Sequence, residues 1–228
     1  MREVLPDGDI ETVAGDDSRA ALPWMPPTSQ GNPPIATLLS LDGPVSLAFG
    51  PNDVLWIALW NRNEVVEVDS HQLYAEALGS PPPGAPAWAK LPSPGCDPDS
   101  IAWSGGNLYV DCTHPFKLFS LSPNHVWTYL GVVRPHLSHS AFAEASHGVV
   151  YGLSQDKIIR VAGTTVRTFK TFDRIAGVGP FWPTGIAVAA DGTIYLDQQG
   201  GGGVGPPAII SLSRAGHVTV IWAHPTTS

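Results

Sequence analysis

Residues 183–197 have the sequence PTGIAVAADGTIYLD: an apolar strand, a turn containing Asp and Gly, and a second strand built around one aromatic residue. Three more stretches repeat this pattern: residues 45–58 (VSLAFGPNDVLWIA), 98–111 (PDSIAWSGGNLYVD) and, less clearly, 140–152 (SAFAEASHGVVYG). The aromatic residue recurs at Trp56, Tyr109, Tyr151 and Tyr195, with spacings of 53, 42 and 44 residues. A period of roughly forty to fifty residues with several short strands per repeat is typical of propeller blades. The sequence therefore predicts an all-β propeller of four-stranded antiparallel blades.

Two further strands follow each of these hairpins and complete a blade. Third strands are predicted at residues 64–68, 117–121, 157–161 and 208–212, and fourth strands at 73–78, 125–130, 166–172 and 217–222. The four complete blades then occupy residues 44–79, 98–131, 140–172 and 183–223.

The beginning of the chain is out of phase with these blades. Residues 1–15 contain two short strands around a turn at Asp7 and Gly8, which matches the second half of a blade. The last blade already has four strands, so this N-terminal half blade has no complement within the chain. We therefore expect an incomplete ring, with the chain forming the C-terminal portion of a longer propeller.

Composition narrows the range of partners. The formal net charge is −8, and the 228 residues include only four lysines. Binding to nucleic acid depends on neutralising phosphates, and no basic cluster is present, so we expect no nucleic-acid partner. No apolar run approaches about 18 residues, so we also expect no membrane span.

The two cysteines, Cys96 and Cys112, lie on either side of one predicted hairpin. The Pro98 kink can bring their Cα atoms to the separation of about 4.4–6.8 Å that a disulfide needs. Two free thiols are the alternative. A disulfide here would indicate an extracytoplasmic location, because such bonds persist in oxidising compartments.

Two long connections contain many prolines and join the outer strand of one blade to the inner strand of the next. In a propeller these connections lie on one face, around the mouth of the central channel. Trp24 and Trp88 lie on them and are candidate ligand contacts; the alternative is that they seal the loops against the rim. His114, after the second strand of the second blade, is a candidate base or ligand contact or a solvated surface group.

Several stretches resemble the NHL-repeat propellers: residues 9–15 (DIETVAG), 42–44 (DGP), 47–49 (LAF), 53–58 (DVLWIA) and 61–65 (NRNEV). The resemblance covers nearly the whole chain, and gluconolactonase-like and strictosidine-synthase-like propellers share much of the same pattern. It implies a funnel of inner strands with a ligand bound at one mouth. It does not imply one activity, because this scaffold hosts binding modules, hydrolases and lyases.

The resemblance to calcium-dependent lactonases of this wider group directs attention to the carboxylates near the mouth. Calcium requires several oxygen ligands at about 2.3–2.6 Å. The candidate ligands are Asp97, Asp99, Asp111, Glu144 and Asp197. Asp111 and Asp197 occupy equivalent places at the end of a second strand. The alternative is that the aspartates cap turns, and Thr184 and Ser100 stand where the lactonase group has asparagines.

Glu144 is the most specific single candidate for a functional-site residue. Aligning Ala143 with Ala48, Ala102 and Ala187 makes Glu144 equivalent to Phe49, Trp103 and Val188, which are all apolar. A carboxylate at such a position is costly unless it is paired or solvated. One interpretation is a ligand, metal or proton-transfer group facing a wet channel. The other is a strand shifted by one residue, which would place Glu144 in solvent.

Two functions follow from these features. The first is a binding scaffold that holds a small molecule or a protein partner at the loop-bearing face of the channel. The second is a metal-dependent hydrolase of a lactone or ester at the channel mouth, with calcium as its cofactor. An enzyme of that type should bind the metal stoichiometrically, and a scaffold need not.

Overall fold

The computed structural model describes residues 1–15, 41–69, 72–77, 97–113, 117–124, 126–132, 141–145, 148–154, 156–200 and 205–224. Within these residues the chain is built from β-strands, with three-residue 3-10 turns at Pro51–Asp53 and Trp60–Arg62. No helix in this part of the chain is long and apolar enough to cross a membrane.

The strands form one two-stranded sheet and four four-stranded sheets, all antiparallel, with one small extra hairpin. The half blade contains β1 (Arg2–Val4) and β2 (Ile10–Thr12); blade I contains β3 (Pro44–Phe49), β4 (Leu55–Leu59), β5 (Glu64–Asp69) and β6 (Gln72–Ala77). Blade II contains β7 (Pro98–Ser104), β8 (Asn107–Cys112), β9 (Lys117–Leu121) and β10 (Trp127–Val132); blade III contains β11 (Phe142–Ala145), β12 (Val149–Ser154), β13 (Lys157–Ala162) and β14 (Thr165–Thr171). The extra hairpin is β15 (Arg174–Ile175) and β16 (Gly179–Pro180), and blade IV contains β17 (Gly185–Val188), β18 (Ile194–Gln198), β19 (Ala208–Leu212) and β20 (Val218–Ala223). This arrangement confirms the predicted fold class, four complete blades and a half blade.

The first strands of the four blades lie innermost, because β3 contacts β7, β7 contacts β11, and β11 contacts β17. The register of the repeat is the same in every blade: the small residue pairs with the aromatic one, as Ala48–Trp56, Ala102–Tyr109, Ala143–Tyr151 and Ala187–Tyr195. Blade III is therefore in register with the others. The alternative of a strand shifted by one residue is wrong.

The hydrophobic core consists of layers between neighbouring sheets. Successive side chains of a strand point to opposite faces of its sheet, so each central strand contributes to two layers. In blades I to III the recurring aromatic residue faces the following blade: Trp56 packs with Leu108 and Val110 of blade II, and Tyr109 packs with Val150 and Val161 of blade III. Tyr151 packs in the layer that joins blade III to blade IV.

The half blade packs on the other face of blade I. Ala14 is fully buried against Leu55, Ile57 and Leu59, with Met1 beside them. In the described part of the chain, β1 and β2 pair with each other and not with blade IV. The incompleteness of the ring stays a prediction.

Cys112 ends β8, is fully buried and is disulfide-bonded. Cys96, the chain's other cysteine, lies outside the described residues.

Candidate functional site

Serine hydroxyls tie the innermost strands to one another. Ser46 Oγ accepts a hydrogen bond of 3.1 Å from the backbone N–H of Ile101 in the next blade. Ser100 Oγ accepts one of 2.9 Å from the backbone N–H of Phe142. The two serines occupy the same repeat position, two residues before Ala48 and Ala102. Sequence reasoning noted Ser100 only as a departure from the lactonase pattern; the signal that it missed was a serine repeated at one position of two blades.

Replacing Ser100 by Ala is expected to lower the free energy of unfolding by about 1–3 kcal/mol, because the amide of Phe142 loses its acceptor in a largely buried junction. Ser213→Ala is the control, since Ser213 Oγ accepts from His217 N–H in an exposed turn where water can replace it. Urea denaturation of both variants measures the difference. Equally small losses of stability in the two variants would show that the hydrogen bond from Phe142 N–H to Ser100 Oγ does not stabilise the junction of blades II and III.

Glu144 lies on β11, the innermost strand of blade III. It shares a strand face with Phe142, which packs against blade II, while Ala143 faces the other way. The side chain is exposed, and partial desolvation raises the pKa of its carboxyl above the ordinary value for glutamate. The structure therefore holds a carboxylate at the solvent-facing surface of the inner strands.

Asp99 and Asp111 both lie in blade II. Asp99 sits at an irregularity of β7, between the pairs formed by Pro98 and Ser100. Asp111 lies opposite Ser100 on β8, on the same strand face as Tyr109, and is only 2 % exposed. Its side chain is thus placed in the layer between blades II and III.

Asp197 is the repeat equivalent of Asp111, as predicted, but its surroundings differ. It is exposed on the face of blade IV that also carries Tyr195. Thr184 donates to it twice, from Oγ1 to Oδ1 at 3.2 Å and from the backbone N–H to the carbonyl oxygen at 2.9 Å. Here the carboxylate caps the beginning of β17.

The predicted metal ligands are thus spread over three blades. Among the residues that the structure describes, no three His, Cys, Asp or Glu side chains lie close enough together to hold a metal ion. Trp24, Trp88 and His114 lie outside the described residues. The metal site and the ligand contacts stay predictions.

A separate cavity of about 330 Å³ opens between the outer strands of blades II and III. Its lining combines two cations with hydroxyl and aliphatic groups: Lys157, Arg167, Ser154, Thr168, Val132, Ile159 and Val166. It lies away from the innermost strands, and its lining includes none of the predicted site residues.

No family model matches this chain, and no curated protein matches it. Solved structures do match. A virginiamycin B lyase from Staphylococcus aureus aligns with a TM-score of 0.61 at 14% identity, over 81% of this chain and 57% of the lyase. A gluconolactonase-like structure aligns with a TM-score of 0.55 at 11% identity, over 78% of this chain and 63% of the other. A structure of a nidogen/laminin complex aligns with a TM-score of 0.54 at 14% identity, over 79% of this chain and 65% of the matched chain.

At these identities the likeness shows the fold alone. The chain adopts a β-propeller fold, as predicted, and a gluconolactonase-like protein is among its structural neighbours. It spans just over half the length of the matched lyase. Its assignment to the NHL repeats in particular stays a prediction.

Proposed function

We propose that this chain is a propeller scaffold that binds a ligand or protein partner at the mouth formed by its innermost strands, with Glu144 as a polar contact. The observation that carries the proposal is the position of Glu144. In the other three blades the equivalent residues are the apolar Phe49, Trp103 and Val188. The carboxylate is exposed at this position, so it is accessible to a ligand at the mouth.

The environment of Glu144 indicates the chemistry of the ligand. Partial desolvation raises the pKa of its carboxyl because it disfavours the charged form. A ligand group that brings positive charge or hydrogen-bond donors offsets this cost, since hydrogen bonds to an ionised carboxylate are stronger than those between neutral groups. The proposed ligand therefore presents an amine, guanidinium, amide or hydroxyl group to this position.

The neighbours in structure perform different tasks: one is named a lyase, one is gluconolactonase-like, and one belongs to a nidogen/laminin complex. They support a scaffold that accepts many ligands. A calcium-dependent hydrolase needs several oxygen ligands around one point. Asp111 between two blades and Asp197 beside Thr184 do not favour that arrangement, so the hydrolase stays a prediction from the sequence.

The test compares the wild-type protein with Glu144→Gln and with Glu11→Gln, which removes the same charge from the exposed strand β2. A panel of amines, sugars, lactones and short peptides is screened by thermal shift, and calorimetry then measures the affinity of each stabilising compound. We expect a donor-bearing compound to bind at least about tenfold more weakly to Glu144→Gln, which is about 1.4 kcal/mol. Glu11→Gln should bind it as the wild type does.

Two outcomes would contradict the proposal. Equal affinities for wild type and Glu144→Gln would remove Glu144 from the binding site. One Ca²⁺ bound per chain, with lactone hydrolysis that chelation abolishes and Ca²⁺ restores, would favour the hydrolase instead.

A further inference from the structure

The cavity between the outer strands of blades II and III is lined mainly by one face of blade III. Side chains alternate along a strand, and Ile159 and Val166 both pack in the layer between these two blades. Lys157 lies two residues before Ile159 and shares its face, and Ser154 is paired with Lys157 across β12 and β13. Thr168 is paired with Ile159 across β13 and β14. Three polar side chains therefore lie beside two aliphatic ones on a single face.

The opposite wall of the cavity comes from blade II. Val132 on β10 lines it and is 59% exposed. Together with Ile159 and Val166 it gives the cavity an aliphatic surface. The volume of about 330 Å³ lies at the lower end of the range for small-molecule sites, about 300–1,000 Å³. The cavity therefore suits a small molecule that has an apolar part.

Lys157 supplies a positive charge to the cavity. Its side chain is exposed, and none of the hydrogen bonds and ion pairs found among the described residues involves it. Its ammonium group is therefore available to an anionic ligand. The hydroxyl of Thr168, on the same face, is a second hydrogen-bond donor.

The outer strands of blade III carry a local excess of positive charge. Residues 157–171, which include β13 and β14, contain four of the twelve lysines and arginines and no aspartate or glutamate, whereas the whole chain has a formal net charge of −8. The four cations are Lys157, Arg160, Arg167 and Lys170. A concentration of charge of one sign attracts ligands of the other sign. The surroundings of the cavity therefore favour an anion.

Two of these cations lie directly opposite each other. Arg160 on β13 is paired with Arg167 on β14, and like charges at opposed positions of a strand pair destabilise the sheet. By alternation both arginines project from the other face of blade III, and Arg167 borders the cavity at the edge of the sheet. An anion in the cavity offsets part of their repulsion. The other blades have different pairs at this position: Glu67–Tyr74, Ser120–Thr128 and Ser211–Thr219.

We propose that this cavity is a binding site for a small aliphatic carboxylate. The carboxylate accepts hydrogen bonds from the Lys157 ammonium and the Thr168 hydroxyl. The aliphatic chain packs against Val132, Ile159 and Val166. A carboxylate fits better than a phosphate, because phosphate recognition favours a bidentate guanidinium, whereas the cation on the cavity face is a lysine. The site is separate from the mouth proposed above, and its ligand carries the opposite kind of polar group.

Sodium hexanoate is the probe, and calorimetry at low ionic strength measures its binding to the whole chain. We expect one saturable site per chain with a Kd of about 1 mM or tighter. Hexan-1-ol, which lacks the charge, and acetate, which lacks the long aliphatic chain, should each bind at least about tenfold more weakly. Raising the ionic strength should weaken hexanoate binding, because salt screens the attraction of an exposed charge.

Lysine variants test which charge holds the carboxylate. Lys157→Gln should weaken hexanoate binding at least about tenfold, because it removes the ammonium and leaves a polar side chain at an exposed position. The matched control is Lys117→Gln, at the first residue of the third strand in blade II. The Lys117 ammonium lies over the Tyr129 ring, at 5.9 Å from its centroid. Lys117→Gln removes the same charge and should change the affinity by less than about twofold.

A second pair of variants tests the wall that blade II contributes. Val132→Glu places a negative charge at this wall and should abolish detectable hexanoate binding. Val126→Glu places the same charge just before β10, at a residue that is 54% exposed, and should leave binding intact. Both positions are exposed, so both variants should fold, and urea denaturation checks this.

Three results in the binding measurements would overturn the proposal: no saturation up to about 10 mM hexanoate, equal affinity for hexan-1-ol or inorganic phosphate, and equal effects of Lys157→Gln and Lys117→Gln. Unchanged binding in Val132→Glu would place the hexanoate site outside this cavity and would overturn it as well.

Discussion

Replacing Tyr109 by Ala is expected to lower the free energy of unfolding by about 3–5 kcal/mol, the usual cost of removing a buried aromatic side chain. Tyr109 is 1% exposed and packs against Leu118, Val150 and Val161 across the junction of blades II and III. Its hydroxyl donates to the carbonyl oxygen of Gly163 at 3.5 Å. Burial raises the pKa of this hydroxyl, so it stays protonated and able to donate at neutral pH.

Tyr195→Ala is the matched control. Tyr195 occupies the same repeat position in blade IV but is 41% exposed, because the described residues place no blade against that face. We expect a loss of no more than about 1 kcal/mol, as is usual for surface positions. Urea denaturation of both variants gives the two values. Similar losses would contradict the conclusion that the aromatic residue stabilises the junction with the following blade.

Replacing Gly105 by Ala is expected to lower the free energy of unfolding by about 2–4 kcal/mol, the sum of backbone strain and overpacking. Gly105 lies in the β7–β8 turn with φ of +58°, and an added Cβ would lie 2.5 Å from the Cα of Gly148 in blade III. Backbone meets backbone there, so no side chain can move aside. Ser104 holds the same junction, with Oγ donating to the carbonyl oxygens of Ala145 and Val149.

Gly163→Ala isolates the steric part of that loss. Gly163 has φ of +55°, and nothing lies within 4 Å of an added Cβ. Gly163→Ala should therefore lower the free energy of unfolding only by the strain of a left-handed residue, about 1–2 kcal/mol. Thermal and urea unfolding of the two variants give the difference. If both substitutions lower the free energy of unfolding equally, the close approach of Gly105 to Gly148 does not restrict the side chain at position 105.

The strand order and register followed from the sequence because both depend on local chemistry. Turn residues set the hairpins, and alternation along a strand sets which side chains share a face. The alignment of Ala143 with Ala48, Ala102 and Ala187 was predicted in this way and is confirmed. The β15–β16 hairpin was not predicted, since two-residue strands leave no periodic signal.

The candidate site was predicted less well. Glu144 is exposed on an innermost strand at the position that Phe49, Trp103 and Val188 occupy in the other blades, and its strand has the same register as theirs. The carboxylates chosen as metal ligands do not form a group of three in the described residues. Equivalence in a repeat places residues at equal positions of different blades, and equal positions in a propeller lie apart around the axis.

The sequence by itself determined the blade pattern, the pairing within each hairpin and the aromatic residue at each junction, because these depend on neighbours close along the chain. Only the tertiary structure decided what each blade face meets. Asp111 and Asp197 are the same repeat residue, yet one is 2% exposed between two blades and the other is exposed on the open face of blade IV. Likewise Leu47 of blade I is 48% exposed, whereas its repeat equivalent Ile101 in blade II is 2% exposed. Whether a blade face meets a neighbour depends on residues far apart along the chain, so the sequence of a single repeat does not determine it.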